Sequence, residues 1–179
     1  MARLQFLSAA LFLAVSPAWA DEHIYSYDAA SDAARALAAT GLSFQFEDRL
    51  LGGYKLQRVI QTGERGSADI RQASESALGT GGVKAALGRR APVGALYEIL
   101  SDADGPAFIE AVCPGAQKAW LIIGPLRRFK DLPIQAVGRD PGAAAARHCV
   151  DLTFSFHSDW RLPDDRIPPR VRFSGRPPP

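Results

Sequence analysis

The chain has 179 residues, with 21 Lys and Arg against 19 Asp and Glu, and this near-balance excludes the strongly basic face that a nucleic-acid partner requires. Apolar residues make up 47% of it, enough for a core, and no segment approaches the roughly 20 apolar residues of a membrane-spanning helix. No internal repeat is present, so the expectation is one ordinary folded domain.

The N-terminus carries Arg3, an apolar run from Leu4 to Val15 broken only by Gln5 and Ser8, then Pro17 and Ala18-Trp19-Ala20. A positive charge, a short apolar stretch and small residues before the cut form a secretory signal. Residues 1–20 are therefore expected to be a signal peptide cleaved after Ala20, with the mature chain periplasmic or secreted and free of transmembrane segments. There is one Arg rather than a twin-Arg pair, and no Cys follows the apolar run to carry a lipid.

Residues 21–162 read as the folded domain. His23 to Tyr27 leads into Asp28–Ala39, an Ala-rich helix with Asp28 and Ser31 as possible caps and Gly41 as its stop. Leu42–Phe46 alternates apolar and polar, and Tyr54–Ile60 follows a Gly52-Gly53 break, which together predict a hairpin. Between Thr62 and Ala91, glycines separate two pieces of helical composition, Ala68–Leu78 and Val83–Leu87. Gly79-Thr80-Gly81-Gly82-Val83-Lys84 lacks the Gly before Lys and the Ser or Thr after it that a phosphate loop needs.

Ala95–Leu100 and Ala107–Val112 flank Asp104-Gly105, a sequence suited to a hairpin turn. Ala119–Ile123 is apolar without alternation, the mark of a fully buried strand, and Pro133–Val137 is a further short one. Val150–His157 alternates cleanly, with Val150, Leu152, Phe154 and Phe156 on one face. These elements predict a single α+β domain, a largely antiparallel sheet of about six to seven strands with one to three short helices. Residues 163–179 hold Arg166, Arg170, Arg172 and Arg176 among six prolines, and predict a flexible tail.

Cys113 and Cys149 suit an exported chain, and a disulfide between them would close a loop of about 37 residues, on the order of 4 kcal/mol in the chain-entropy model. A metal site using Cys149 with His148 and His157 is disfavoured, because neighbours on a strand face opposite ways.

Three functional readings follow. The first, by elimination, is a non-enzymatic binding or envelope-accessory module, with the tail arginines as a contact for an envelope protein or an anionic surface. The second uses the processed N-terminus. Cleavage after Ala20 leaves Asp21-Glu22-His23, whose amine, two backbone amides and imidazole form the four-nitrogen square plane of Cu(II) or Ni(II). The third is a small hydrolase using His157, with Asp159 two residues on to orient it, near Ser155 and Ser158.

Overall fold

The structure is a computed structural model that describes residues 22–49, 53–62 and 66–161. Residues 1–20, expected to be a signal peptide, Asp21 and the expected tail from Pro163 lie outside the described residues. Eight antiparallel strands close into a barrel in which each strand pairs with the next and β8 returns to β1. They are β1 (Glu22–Ala29), β2 (Leu42–Asp48), β3 (Tyr54–Gln61), β4 (Ser67–Gln72), β5 (Ala95–Ile99), β6 (Lys118–Ile123), β7 (Leu132–Arg139) and β8 (Arg147–Arg161). Three short helices, α1 (Asp32–Leu37), α2 (Gly82–Leu87) and α3 (Gly105–Val112), and one 3-10 turn (Glu75–Leu78) complete the described elements.

This corrects the α+β expectation of an open sheet of six to seven strands. Two segments changed class. Ala68–Gln72 has helical composition, but Ala68 and Ile70 point into the barrel and the segment pairs with β3 and β5, so tertiary pairing overrides propensity. Ala107–Val112 is the body of α3 rather than a strand. Asp104-Gly105 starts a helix there, with Pro106 in its first turn, instead of turning a hairpin. The predicted helix over Asp28–Ala39 shrinks to α1, which Ser31 caps by accepting the Ala34 N–H at 3.1 Å.

Alternation fills the interior. Tyr27, Leu42, Phe44, Val59, Leu121, Ile134, Leu152 and Phe154 all point inward and are buried, so the barrel interior is a packed core over most of its height. Outward positions on β1, β3, β4 and β5 carry Asp28, Arg58, Asp69, Arg71 and Glu98, the reverse of a membrane-crossing barrel with its apolar outer band.

The unbroken apolar run of β6 has a separate cause. Leu121 and Ile123 enter the barrel, while Trp120 and Ile122 face outward into a second core with Leu78, Val83, Leu87 and Leu96, covered by the 3-10 turn and α2. Gln135 fastens the chain that follows, accepting the Val93 N–H and donating to the Ala91 carbonyl, each at 3.2 Å.

The connections at one end of the barrel carry α1 and α3. Cys113, just past α3, lies at disulfide distance from Cys149 on β8, with Cα atoms 5.2 Å apart. The opposite end carries the β2–β3 and β6–β7 loops together with the two ends of the described chain. Among the described residues no helix is long and apolar enough to cross a membrane. The cysteine pair is compatible with an oxidising, exported location.

Candidate ligand-binding cleft

The β3–β4 seam is one of the two shortest in the barrel, matched by β4–β5. Its ladder holds three partner pairs, Arg58↔Asp69, Val59↔Ala68 and Ile60↔Ser67. Toward the β2–β3 end, Tyr54 to Leu56 stay paired with β2, and Ile70 to Gln72 stay paired with β5, but the two strands no longer pair with each other. The cause is the path of the chain after β4. Ala73 donates its N–H to the Leu96 carbonyl, and the next residues leave to build the cover over the outer face of β5–β7. A cleft of about 480 Å³ opens where the strands part. That volume falls within the usual range for small-molecule sites, about 300–1,000 Å³.

The cleft has an apolar floor and a cationic rim. Leu56, Ile70 and Tyr97 form the floor, edge-on from the barrel core, with Tyr54 beside them. Burial pushes the Tyr97 phenol up, nearby Tyr54 adds to the shift and the charge of Arg49 opposes it, so the two phenols and the guanidinium share one locality. Tyr97 is thus a neutral phenol throughout the physiological range. The Tyr54 hydroxyl accepts the Leu126 N–H at 3.1 Å, which leaves its own proton free to donate to a guest.

Of the cations on the rim, Arg58 is committed to Asp69 at 2.6 Å, a bond that raises its pKa, and Arg71 to Glu98 at 2.9 Å. Arg49 and Lys55 line the same cleft and have no carboxylate within ion-pair distance among the described residues. The arrangement offers apolar contact, two phenols and two uncommitted cations, and its chemistry suits an anion attached to an apolar body.

None of these residues was singled out by sequence. Tyr54 and Leu56 lie in a predicted strand, but nothing in their spacing shows that the neighbouring strand leaves them. Ile70 was hidden in a segment of helical composition.

The sequence-predicted residues fall elsewhere. His157 and Asp159 do not form a pair. A register shift between β1 and β8 at Ser26/Tyr27 leaves His157 as an extra residue, with Phe156 opposite Tyr27 and Ser158 opposite Ser26. The two-residue spacing therefore spans a bulge, and the side chains take different faces. His157 Nδ1 meets Asp28 at 2.9 Å, whereas Asp159, opposite Tyr25, forms an ion pair with Arg128. Ser155 donates to Asp131 at 3.0 Å and Ser158 accepts the Trp160 indole N–H at 3.0 Å.

Glu22 and His23 open β1, with Asp21 outside the described residues. His23 is 5% exposed, its ring stacks on Phe46, and its Nε2 meets Asp48 at 3.0 Å. The backbone nitrogens that a square-planar ion would need belong here to a strand whose His23 is flanked by β2 and β8. Cys149 occupies a second bulge, opposite no residue of β7, and this turns it toward Cys113. His148 meets Asp151 at 2.9 Å, away from that pair. Arg166, Arg170, Arg172 and Arg176 lie outside the described residues.

Comparison with protein-family models, with curated proteins and with solved structures finds no match for this chain.

Proposed function

We propose that this chain is exported, processed after Ala20, and acts as a non-enzymatic binding module that holds a small amphiphile with an anionic head in the β3–β4 cleft. One observation carries the reading: the seam parts where an apolar floor of Leu56, Ile70 and Tyr97 meets Arg49 and Lys55, cations without partners among the described residues. The apolar body of the guest lies on that floor. Its head takes a charge-assisted hydrogen bond from Arg49 and the free proton of Tyr54. The unpaired strand margins beside the cleft add backbone donors and acceptors that need a partner.

Titration with a fluorescent amphiphile, dansyl-aminoundecanoic acid, tests this against the neutral amide of the same probe. The acid should bind saturably and more tightly than the amide. Arg49→Gln should weaken the acid on the order of ten-fold, the loss of one hydrogen bond to a charged group, and leave the amide nearly unchanged. Ile70→Trp, which fills the floor, should weaken both. Absence of saturable binding, or an Ile70→Trp chain that binds like the parent, overturns the reading.

A further inference from the structure

Two large apolar side chains are exposed among the described residues, Phe129 at 84% and Trp160 at 63%, and both belong to the end of the barrel opposite α1 and α3. Phe129 sits at the tip of the loop between β6 and β7, whose sequence Leu126-Arg127-Arg128-Phe129-Lys130 places it among three cations. Its φ is 59°, the left-handed region that L residues with bulky side chains seldom occupy. A conformation of that kind persists only where the surroundings hold it.

Here they do. Leu126 is buried and donates its N–H to Tyr54, the Arg127 carbonyl accepts from the Tyr27 hydroxyl at 3.5 Å, and Arg128 is tied to Asp159. Phe156 supports one edge of the Phe129 ring at 5.3 Å between centroids. The loop is anchored at its root and presents a phenyl ring to water.

The charge around it is uneven. Arg127 and Lys130 are exposed and without ion pairs among the described residues. The nearby carboxylates are mostly engaged: Asp159 with Arg128, Asp131 with Ser155, Asp48 with His23, while Glu22 and Glu47 face each other across the β1–β2 ladder. Trp160 stands on the outer face of β8 near the same end, its indole N–H held by Ser158. Past Arg161 the chain runs on for 18 residues, with Arg166, Arg170, Arg172 and Arg176 and no acid after Asp165. A projecting Phe, a Trp with an apolar body and a polar edge, and cations beside them match the layering of a lipid interface, acyl chains below and anionic phosphates above.

We propose that the β6–β7 loop docks this end of the barrel onto an anionic lipid surface. Phe129 enters the acyl boundary, Trp160 lies at headgroup depth, and Arg127 and Lys130 meet headgroup phosphates. The inference stands apart from the cleft reading, since Phe129 does not line the cleft.

The test is co-sedimentation of the exported chain with vesicles of phosphatidylcholine containing a third phosphatidylglycerol, against pure phosphatidylcholine. Binding should require the anionic lipid and should blue-shift tryptophan emission. Phe129→Ser should weaken partitioning about ten-fold or more, as expected for one lost aromatic burial. Arg127→Gln with Lys130→Gln should weaken it on the order of twenty-fold. Both variants should keep the parent's melting temperature and its binding of the cleft probe, and Ile70→Trp should keep vesicle binding. Three outcomes overturn the proposal: no binding to the anionic vesicles, equal binding to neutral ones, or binding that survives Phe129→Ser and is lost when residues 163–179 are removed, which would make the tail the anchor.

Discussion

The Arg147 guanidinium joins three parts of the chain. It donates to Asp140 through Nε and Nη2 at 3.0 Å, to the Pro114 carbonyl at 2.9 Å, and lies 3.5 Å from the Cys149 sulfur. Pro114 follows Cys113, so this cation braces the segment that carries the cysteine pair. Hydrogen bonding to Arg147 holds the Asp140 carboxyl below its ordinary range. The folded value is depressed, so the stabilisation is complete above the unfolded carboxylate value of about 3.9 and is lost as pH falls through the folded value. Asp151 has the same sign: burial raises it, but His148, Arg90 and Gln135 together outweigh that effect. Urea midpoints should therefore fall as pH drops below about 4. Asp140→Asn should show a shallower fall over that window, and an unchanged acid limb would mean that Arg147 does not act through Asp140.

At the level of elements, α3 depends on what β7 lacks. A Cβ built on Gly138 would stand 2.3 Å from the Cys113 sulfur and 2.8 Å from the Ala116 Cβ, so β7 has a glycine where the end of α3 crosses it. Gly138→Ala should destabilise the chain by about 1–3 kcal/mol, the usual cost of forcing extra volume into a packed site. Guanidinium unfolding of both forms, oxidised and reduced, measures it. The penalty should shrink after reduction, when the sulfur is free to move, and an equal loss in both states would place the strain elsewhere.

The same elements show where sequence reasoning succeeded. β6 was recognised as doubly buried because Trp120 and Ile122 have a cover of their own, and the face of Leu152, Phe154 and Phe156 on β8 was visible because only one side of that strand is dry. Asp104-Gly105 misled because the same pair suits a hairpin turn and a helix start. Pro106 in the first turn was the signal for the helix, and Gly105 is required because a Cβ there would meet the Leu100 carbonyl oxygen at 1.8 Å. The His157/Asp159 pairing failed for a different reason. A bulge inserts one residue without leaving a mark in the alternation of apolar side chains, so the phase of the strand changes unseen.

Across the whole molecule, closure was invisible to periodicity, since alternation reports which faces are buried and not whether the first and last strands meet. Closure also determines where the molecule is weakest. β1 and β8 share seven partner pairs and β7 and β8 another seven, but three join β4 to β3 and three join it to β5. The barrel should open first around β4, beginning where it parts from β3, because local opening follows the regions with fewest cross-strand bonds. Hydrogen exchange should find the amides of Tyr54–Gln57 and Ile70–Gln72 the least protected among strand residues, with those of β7 and the middle of β8 the most protected. An amphiphile in the cleft binds the closed, folded form, so it should slow exchange along both strand margins and raise the melting temperature in proportion to the logarithm of its concentration. Slowed exchange without a higher melting temperature would mean that the guest also binds the unfolded chain. A higher melting temperature with the seam still unprotected would place the guest outside the cleft.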